Sequence, residues 1–144
     1  MIERLFQHGA MPALERMVQF TGERHRLLTH NIANLSTPRF RPHDLNVDEF
    51  RASLRDAIGR RRATRRPLDG ELTPRDTAGI RFSANGLDTR PRDAGRNILF
   101  HDQNNRDLER TMQDLAENTL THQVSIELLR SEFDILKTAI RERV

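Results

Sequence analysis

From Leu108 to Ile140 the chain repeats in steps of four and three: Leu108, Met112, Leu115, Thr119, His122, Ile126, Leu129, Phe133, Leu136, Ile140. Eight of these ten positions are apolar, and the two polar ones sit together in the middle. Such spacing keeps one narrow stripe on one side of an α-helix, the pattern of a helix that buries a seam against another helix. No Gly or Pro falls between Leu108 and Val144. A helix from Asn105 to Arg141 would be roughly 55 Å long at 1.5 Å per residue. A small compact domain has little use for so long a helix. A filament, a stalk or a bundle of several chains does.

A second seam lies near the N-terminus. The helical signal starts at Met11, with Pro12 in the first turn, where its missing N–H costs least. Leu14, Val18, Thr21, His25, Leu28, Ile32 and Leu35 again step by four and three. Pro38 ends the helix, because it disfavours helical geometry at Thr37 and donates no hydrogen bond. Gly22 weakens this helix by up to about 1 kcal/mol relative to Ala. Each seam carries a Thr/His pair, Thr21 with His25 and Thr119 with His122. Setting the helices antiparallel with these pairs level puts Leu35 opposite Leu108, Ile32 opposite Met112 and Leu28 opposite Leu115. The same register sets Val18 opposite Ile126 and Leu14 opposite Leu129. A polar layer inside an apolar seam lowers stability but penalises slipped alignments. Two imidazoles facing each other there would also respond to pH, since protonation places like charges together. The longer seam overhangs: Phe133, Leu136 and Ile140 extend past Leu14, with Ile2, Leu5 and Phe6 nearby to cover them. The overhang is either covered by that N-terminal segment or left as an assembly contact.

Between the seams the character changes. Val47, Phe50, Leu54 and Ile58 space as one face of a short helix, with Asn46 or Asp48 as N-cap and Gly59 as its end. From Gly59 to Asn105, Gly and Pro are frequent and apolar residues sparse, so the segment reads as irregular or disordered. Ile80-Arg81-Phe82 and Ile98-Leu99-Phe100 are candidate short strands. Asn104, Asn105 and Asp107 suit the start of the last helix, and Lys137, Arg141 and Arg143 its negative end. The expected fold is therefore mainly α: long N- and C-terminal helices pairing as an antiparallel coiled coil, one short helix and an Arg-rich middle. The expected divisions are 1–38 and 105–144 for the two long helices, 39–58 for a turn and short helix, and 59–104 for the irregular insert.

Composition narrows the function. The 144 residues are 35% hydrophobic, 31% charged and 5% aromatic, a poor stock for an ordinary globular core. There is no Cys, which excludes disulfides, thiolate metal sites and a cysteine nucleophile. No apolar run is long enough to span a membrane. The N-terminal residues lack an apolar stretch with a cleavage site, so a cleaved secretory signal is not expected. Net charge is +3, yet the pI is about 10.7, and nearly all the basicity is Arg. Arg60, Arg61, Arg62, Arg65 and Arg66 cluster without interleaved aromatics, so they read as a solvated linker or as a patch for nucleic acid or anionic lipid. His101 and Asp102 are adjacent, but there is no HExxH and no Gly-rich phosphate loop. No enzymatic activity, cofactor or metal is expected.

The end of the first helix carries a motif. His30-Asn31-Ile32-Ala33-Asn34-Leu35-Ser36-Thr37-Pro38-Arg39-Phe40-Arg41 resembles the N-terminal signature of bacterial flagellar rod and hook proteins, Asn-Ile-Ala-Asn, two variable residues, Thr-Pro-Gly-Tyr, then often a basic residue. Asn31, Ile32, Ala33, Asn34, Thr37 and Pro38 match, and Arg41 takes the basic position. Arg39 stands where the family has Gly, which adopts a positive-φ turn far more easily; Phe40 replaces Tyr. Asn104 to Glu109, Met112, Ala116 to Asn118, Gln123 and Phe133 to Ile140 are similar to the C-terminal region of the short proximal rod members. The similarity covers about residues 10–58 and 97–143.

The resemblance implies a structural subunit of the proximal rod of the flagellar basal body, assembling through its terminal helices to transmit torque. It implies export through the flagellar type III apparatus without a cleaved signal. The implied partners are other rod subunits, further copies of this chain, a rod-base adaptor protein and the membrane ring. On the seam reading Leu14, Val18, Leu28, Ile32, Leu108, Met112, Leu115, Ile126, Leu129, Phe133, Leu136 and Ile140 are the helix-pairing and assembly residues. The alternatives are an Arg-rich nucleic-acid-binding protein and a generic coiled-coil adaptor. Neither explains the signature.

Overall fold

The computed structural model describes residues 9–64, 72–83, 86–94 and 108–141. Ile2, Leu5, Phe6, Arg65, Arg66, the Ile98–Phe100 strand, His101, Asp102, the cap at residues 104–107 and Arg143 lie outside these residues.

Helix α1 runs Met11–Ala33. Ala10 precedes it without a side-chain cap, and its carbonyl accepts from Ala13 and Leu14 N–H. Pro12 sits in the first turn, as its spacing predicts. The helix stops before Pro38, with Asn34 N–H donating back to His30 O. Helix α2 runs Val47–Arg62. Asn46 caps it, its side-chain oxygen accepting from Asp48 and Glu49 N–H. Gly59 does not end α2. An added Cβ there would meet nothing, and the helix continues through Arg60, Arg61 and Arg62, whose charges suit its negative end. Helix α3 runs Leu108–Arg141.

The middle of the chain is more structured than the sparse apolar pattern suggests. Strand β2, Ile80–Ser83, pairs antiparallel with β3, Gly86–Thr89, with Phe82 opposite Leu87. Strand β1, His43–Asp44, pairs antiparallel with β4, Arg92–Asp93. These short ladders bring distant segments into one core. Phe20 of α1 stacks on Phe50 of α2 with ring centroids 4.0 Å apart, and Phe82 lies 6.2 Å from Phe50. Leu45, Leu54, Ala57, Leu72 and Ile80 complete the cluster. Full burial of one such Leu or Phe contributes about 1.5–3 kcal/mol, so a few of them suffice to hold α1, α2 and the hairpin together.

Helix α3 packs along the other side of α1. The pairing is antiparallel: Arg24 meets Asp114, Thr21 meets His122, and Gly9 lies beside Glu132.

Candidate functional site

The signature forms one compact turn at the end of α1. Asn31 is buried, and its amide works like a strand edge. Its Nδ2 donates to His43 O at 2.7 Å, and its Oδ1 accepts from His43 N–H at 3.1 Å. That clasp fixes where β1 begins. Asn34 Nδ2 donates to His30 O at 2.9 Å, closing the last carbonyls of the helix. Thr37 N–H then donates to Asn34 O and Phe40 N–H to Thr37 O. The Phe40 ring meets His30 edge-on at 5.7 Å. Ile32 is half-buried, while Ala33, Thr37 and Pro38 are exposed. Arg39 takes φ 62°, so the left-handed turn persists with Arg in place of Gly.

A buried charge ties this turn to both neighbouring elements. Arg24 Nε and Nη2 bind the Asp44 carboxylate at 2.9 and 2.7 Å, the planar fork geometry that guanidinium suits. Asp114 of α3 stands 3.6 Å from the same Nη2. Burial lowers the Arg24 pKa, but the hydrogen bonds and charge of Asp44, with Asp114, outweigh it and hold the pKa above its ordinary value. Arg24 therefore stays charged at any physiological pH. Periodicity passed over Arg24 in favour of its neighbour His25. The available signal was charge: residues 24–43 contain no Asp or Glu, and Asp44 is the first acid after them.

The polar layer between α1 and α3 exists and keeps Thr21 and His122, but His25 is not in it and Asn118 is. Thr21 Oγ1 and His122 Nδ1 are 2.7 Å apart. The Thr21 hydroxyl also lies 2.7 Å from Met17 O. The hydroxyl has one hydrogen, so which of Thr21 and His122 donates in their contact follows from the imidazole tautomer. Asn118 is buried and donates to Thr21 O at 2.8 Å. His25 is exposed, so no pair of imidazoles forms and the pH response expected of one has no basis. The buried line on α1 is Thr21, Arg24, Leu28, Asn31; on α3 its most buried members are Asn118 and Ser125, each 3% exposed. At alternate steps each helix thus turns one residue back, presenting Arg24 for His25, Asn31 for Ile32, Asn118 for Thr119 and Ser125 for Ile126. One residue is about 100° of rotation. The reason is that α1 serves two neighbours. Seating Phe20 against Phe50 turns the helix and brings a polar edge to α3.

Helix α3 consequently carries much of its apolar side chain outward. Leu115, Ile126, Leu129, Phe133 and Leu136 are half-buried, as are Leu14, Val18 and Ile32 on α1, and Leu28 is buried. Leu108, Met112 and Ile140 are exposed. A further stripe, which the seam reading missed, consists of Leu120, Val124, Leu128 and Ile135, exposed by 63, 58, 51 and 61%. Steps of four, four and seven place these on one face of the helix. An exposed apolar stripe of this length is the mark of a protein–protein surface.

The Arg cluster is partly occupied by structure. Arg60 pairs with Asp56 and donates to Thr73 O, and Arg61 donates to Gly9 O. A half-open cleft of about 470 Å³ between α1, α2 and α3 is lined by Phe20, Arg24, Phe50, Asp114 and Leu120, among others. Among the described residues no group of three His, Asp or Glu side chains is placed to hold a metal ion, and no helix is long and apolar enough to cross a membrane.

Comparison with known proteins found relatives along most of the chain. Flagellar basal body rod proteins FlgB from Cereibacter sphaeroides, one of them from strain ATCC 17029, are 32% identical over 120 residues. The match covers 82% of this chain and 83% of each relative. No family model matches.

Proposed function

Because the chain belongs to the FlgB family of flagellar basal body rod proteins, a structural component of the flagellum, we propose that it is a proximal-rod subunit that assembles through its terminal helices and carries torque. The observation that carries this reading is the outward stripe of α3, Leu120, Val124, Leu128 and Ile135. In the assembled rod these residues, with Phe133, Leu136 and Ile140, pack on helices of neighbouring subunits, and the paired terminal helices close as a coiled coil. Each buried Leu or Phe contributes about 1.5–3 kcal/mol, and repetition through a lattice gives a stiff shaft from modest monomers. The signature Asn31, Ile32, Ala33, Asn34, Thr37, Pro38 and Phe40 fixes the turn that presents α1 to this assembly. The partners are other rod subunits, the rod-base adaptor and the membrane ring. The route to the rod is the flagellar type III apparatus. The divisions at 38, 58 and 104 then separate the helices of the rod core from the segment between them.

The test is a clean deletion in the source organism, scored for swimming and for rods by electron cryotomography. Loss of both, restored by the gene in trans, is expected. Intact rods with normal swimming would contradict the reading.

A further inference from the structure

The inference rests on the reading above and identifies one contact within the assembly. Charge is unevenly spread over the end of the molecule where α1 stops and α3 starts. Residues 24–43 hold four Arg and three His and no acid. Arg24 is taken by Asp44, and Arg26 pairs with Glu23. Arg39 and Arg41 remain, exposed and, among the described residues, without ion pair or hydrogen bond. Arg39 is held outward in a left-handed conformation that Gly adopts freely and Arg does not.

The outward face of α3 has the opposite sign. Glu109, Gln113 and Glu117 follow each other by four, and Leu120 and Val124 continue the same face. Gln113 donates to Glu117 Oε1 at 3.2 Å, and Glu109 is exposed; three acids, Glu109, Asp114 and Glu117, share this surface with one cation, Arg110. The stripe assigned to assembly is thus acidic at its N-terminal end and apolar beyond. A neighbour covering Leu120 and Val124 also meets Glu109 and Glu117, and burying those carboxylates beside apolar surface demands positive charge from that neighbour.

We infer that the signature turn of one copy docks, through Arg39 and Arg41, on the Glu109–Glu117 ridge of a second copy of this chain. Both surfaces lie at the same end of the molecule, since Arg24 meets Asp114 and the helices run antiparallel from there. The two copies therefore stand level, side by side. Arg39 is then a specificity residue: its guanidinium reaches a carboxylate that Gly at that position cannot.

Charge exchange in the source organism tests this. Arg39→Glu with Arg41→Glu, and separately Glu109→Arg with Glu117→Arg, should each cut incorporation into purified rods by about tenfold or more, through like-charge contact. All four changes in one chain should return it to within about threefold of wild type, the signature of a direct pair. Thermal melts of each purified variant verify folding. Independently, copies bearing Arg41→Cys and longer, tagged copies bearing Glu117→Cys should crosslink to each other when mixed, because the chain has no other Cys. Reversals that incorporate like wild type, a fourfold exchange no better than either half, or crosslinks running to a different rod protein would overturn the inference while leaving the rod reading intact. Absence of the unmodified chain from purified rods would overturn both.

Discussion

The two sides of α1 are built on different physics. Toward α2 and the hairpin, α1 buries Phe20 on Phe50, with Leu54, Leu72 and Ile80 around them. Toward α3 its polar contacts are Thr21 and Arg24, met by His122, Asn118 and Asp114, in a buried line that also holds Leu28. Apolar burial is non-directional and accumulates with area, so the first side makes a folding core. Hydrogen bonds contribute about 0.5–1.5 kcal/mol net and demand geometry, so the second side fixes register more than it adds stability. A helix docked through such a line can keep its Leu and Val residues for another chain. The difference separates a part that buries its apolar residues in one core from a part that leaves Leu120, Val124, Leu128 and Ile135 exposed.

The comparison can be broken from its strong side first. Phe50→Ala removes a fully buried ring from the core and should cost about 3–5 kcal/mol, seen as a large drop in the urea midpoint. Arg24→Met keeps most of the volume but leaves Asp44 without its fork. A loss of about 1.5–3 kcal/mol is expected, the range for hydrogen bonds to charged groups. Asn118→Ala removes the bond to Thr21 O and should cost about 1 kcal/mol. If it costs as much as Phe50→Ala, the two sides are not different in kind. Gly59→Ala adds a methyl into open space inside α2 and should stabilise the chain by about 0.5–1 kcal/mol.

How far these features could be read from the sequence depends on how local their causes are. Pro12, Asn46 and Pro38 act within a turn of themselves, so the start of α1, the cap of α2 and the stop after α1 were legible. The seams located α3 and its antiparallel level with α1, because Thr21 does meet His122. They could not give the rotation of the helices. That is set by Phe20 and Phe50, which are thirty residues apart and carry no mark of belonging together. Leu72 and Ile80 were lost among Gly and Pro for the same reason; each is one apolar residue whose partners are distant in sequence. The Asn31 clasp on His43 and the Arg24–Asp44 fork likewise join segments that only the turn brings together. The stripe from Leu120 to Ile135 was hidden by the stronger seam beside it.

The central claim is that the outward face of α3 serves other chains and not its own. Leu128→Asp tests it most directly, because Leu128 is 51% exposed in the monomer. The purified variant should melt within about 0.5 kcal/mol of wild type, as exposed substitutions do, and should be exported yet absent from rods isolated from the source organism. A variant that enters rods and supports normal swimming, or one that unfolds as a monomer, would contradict the account.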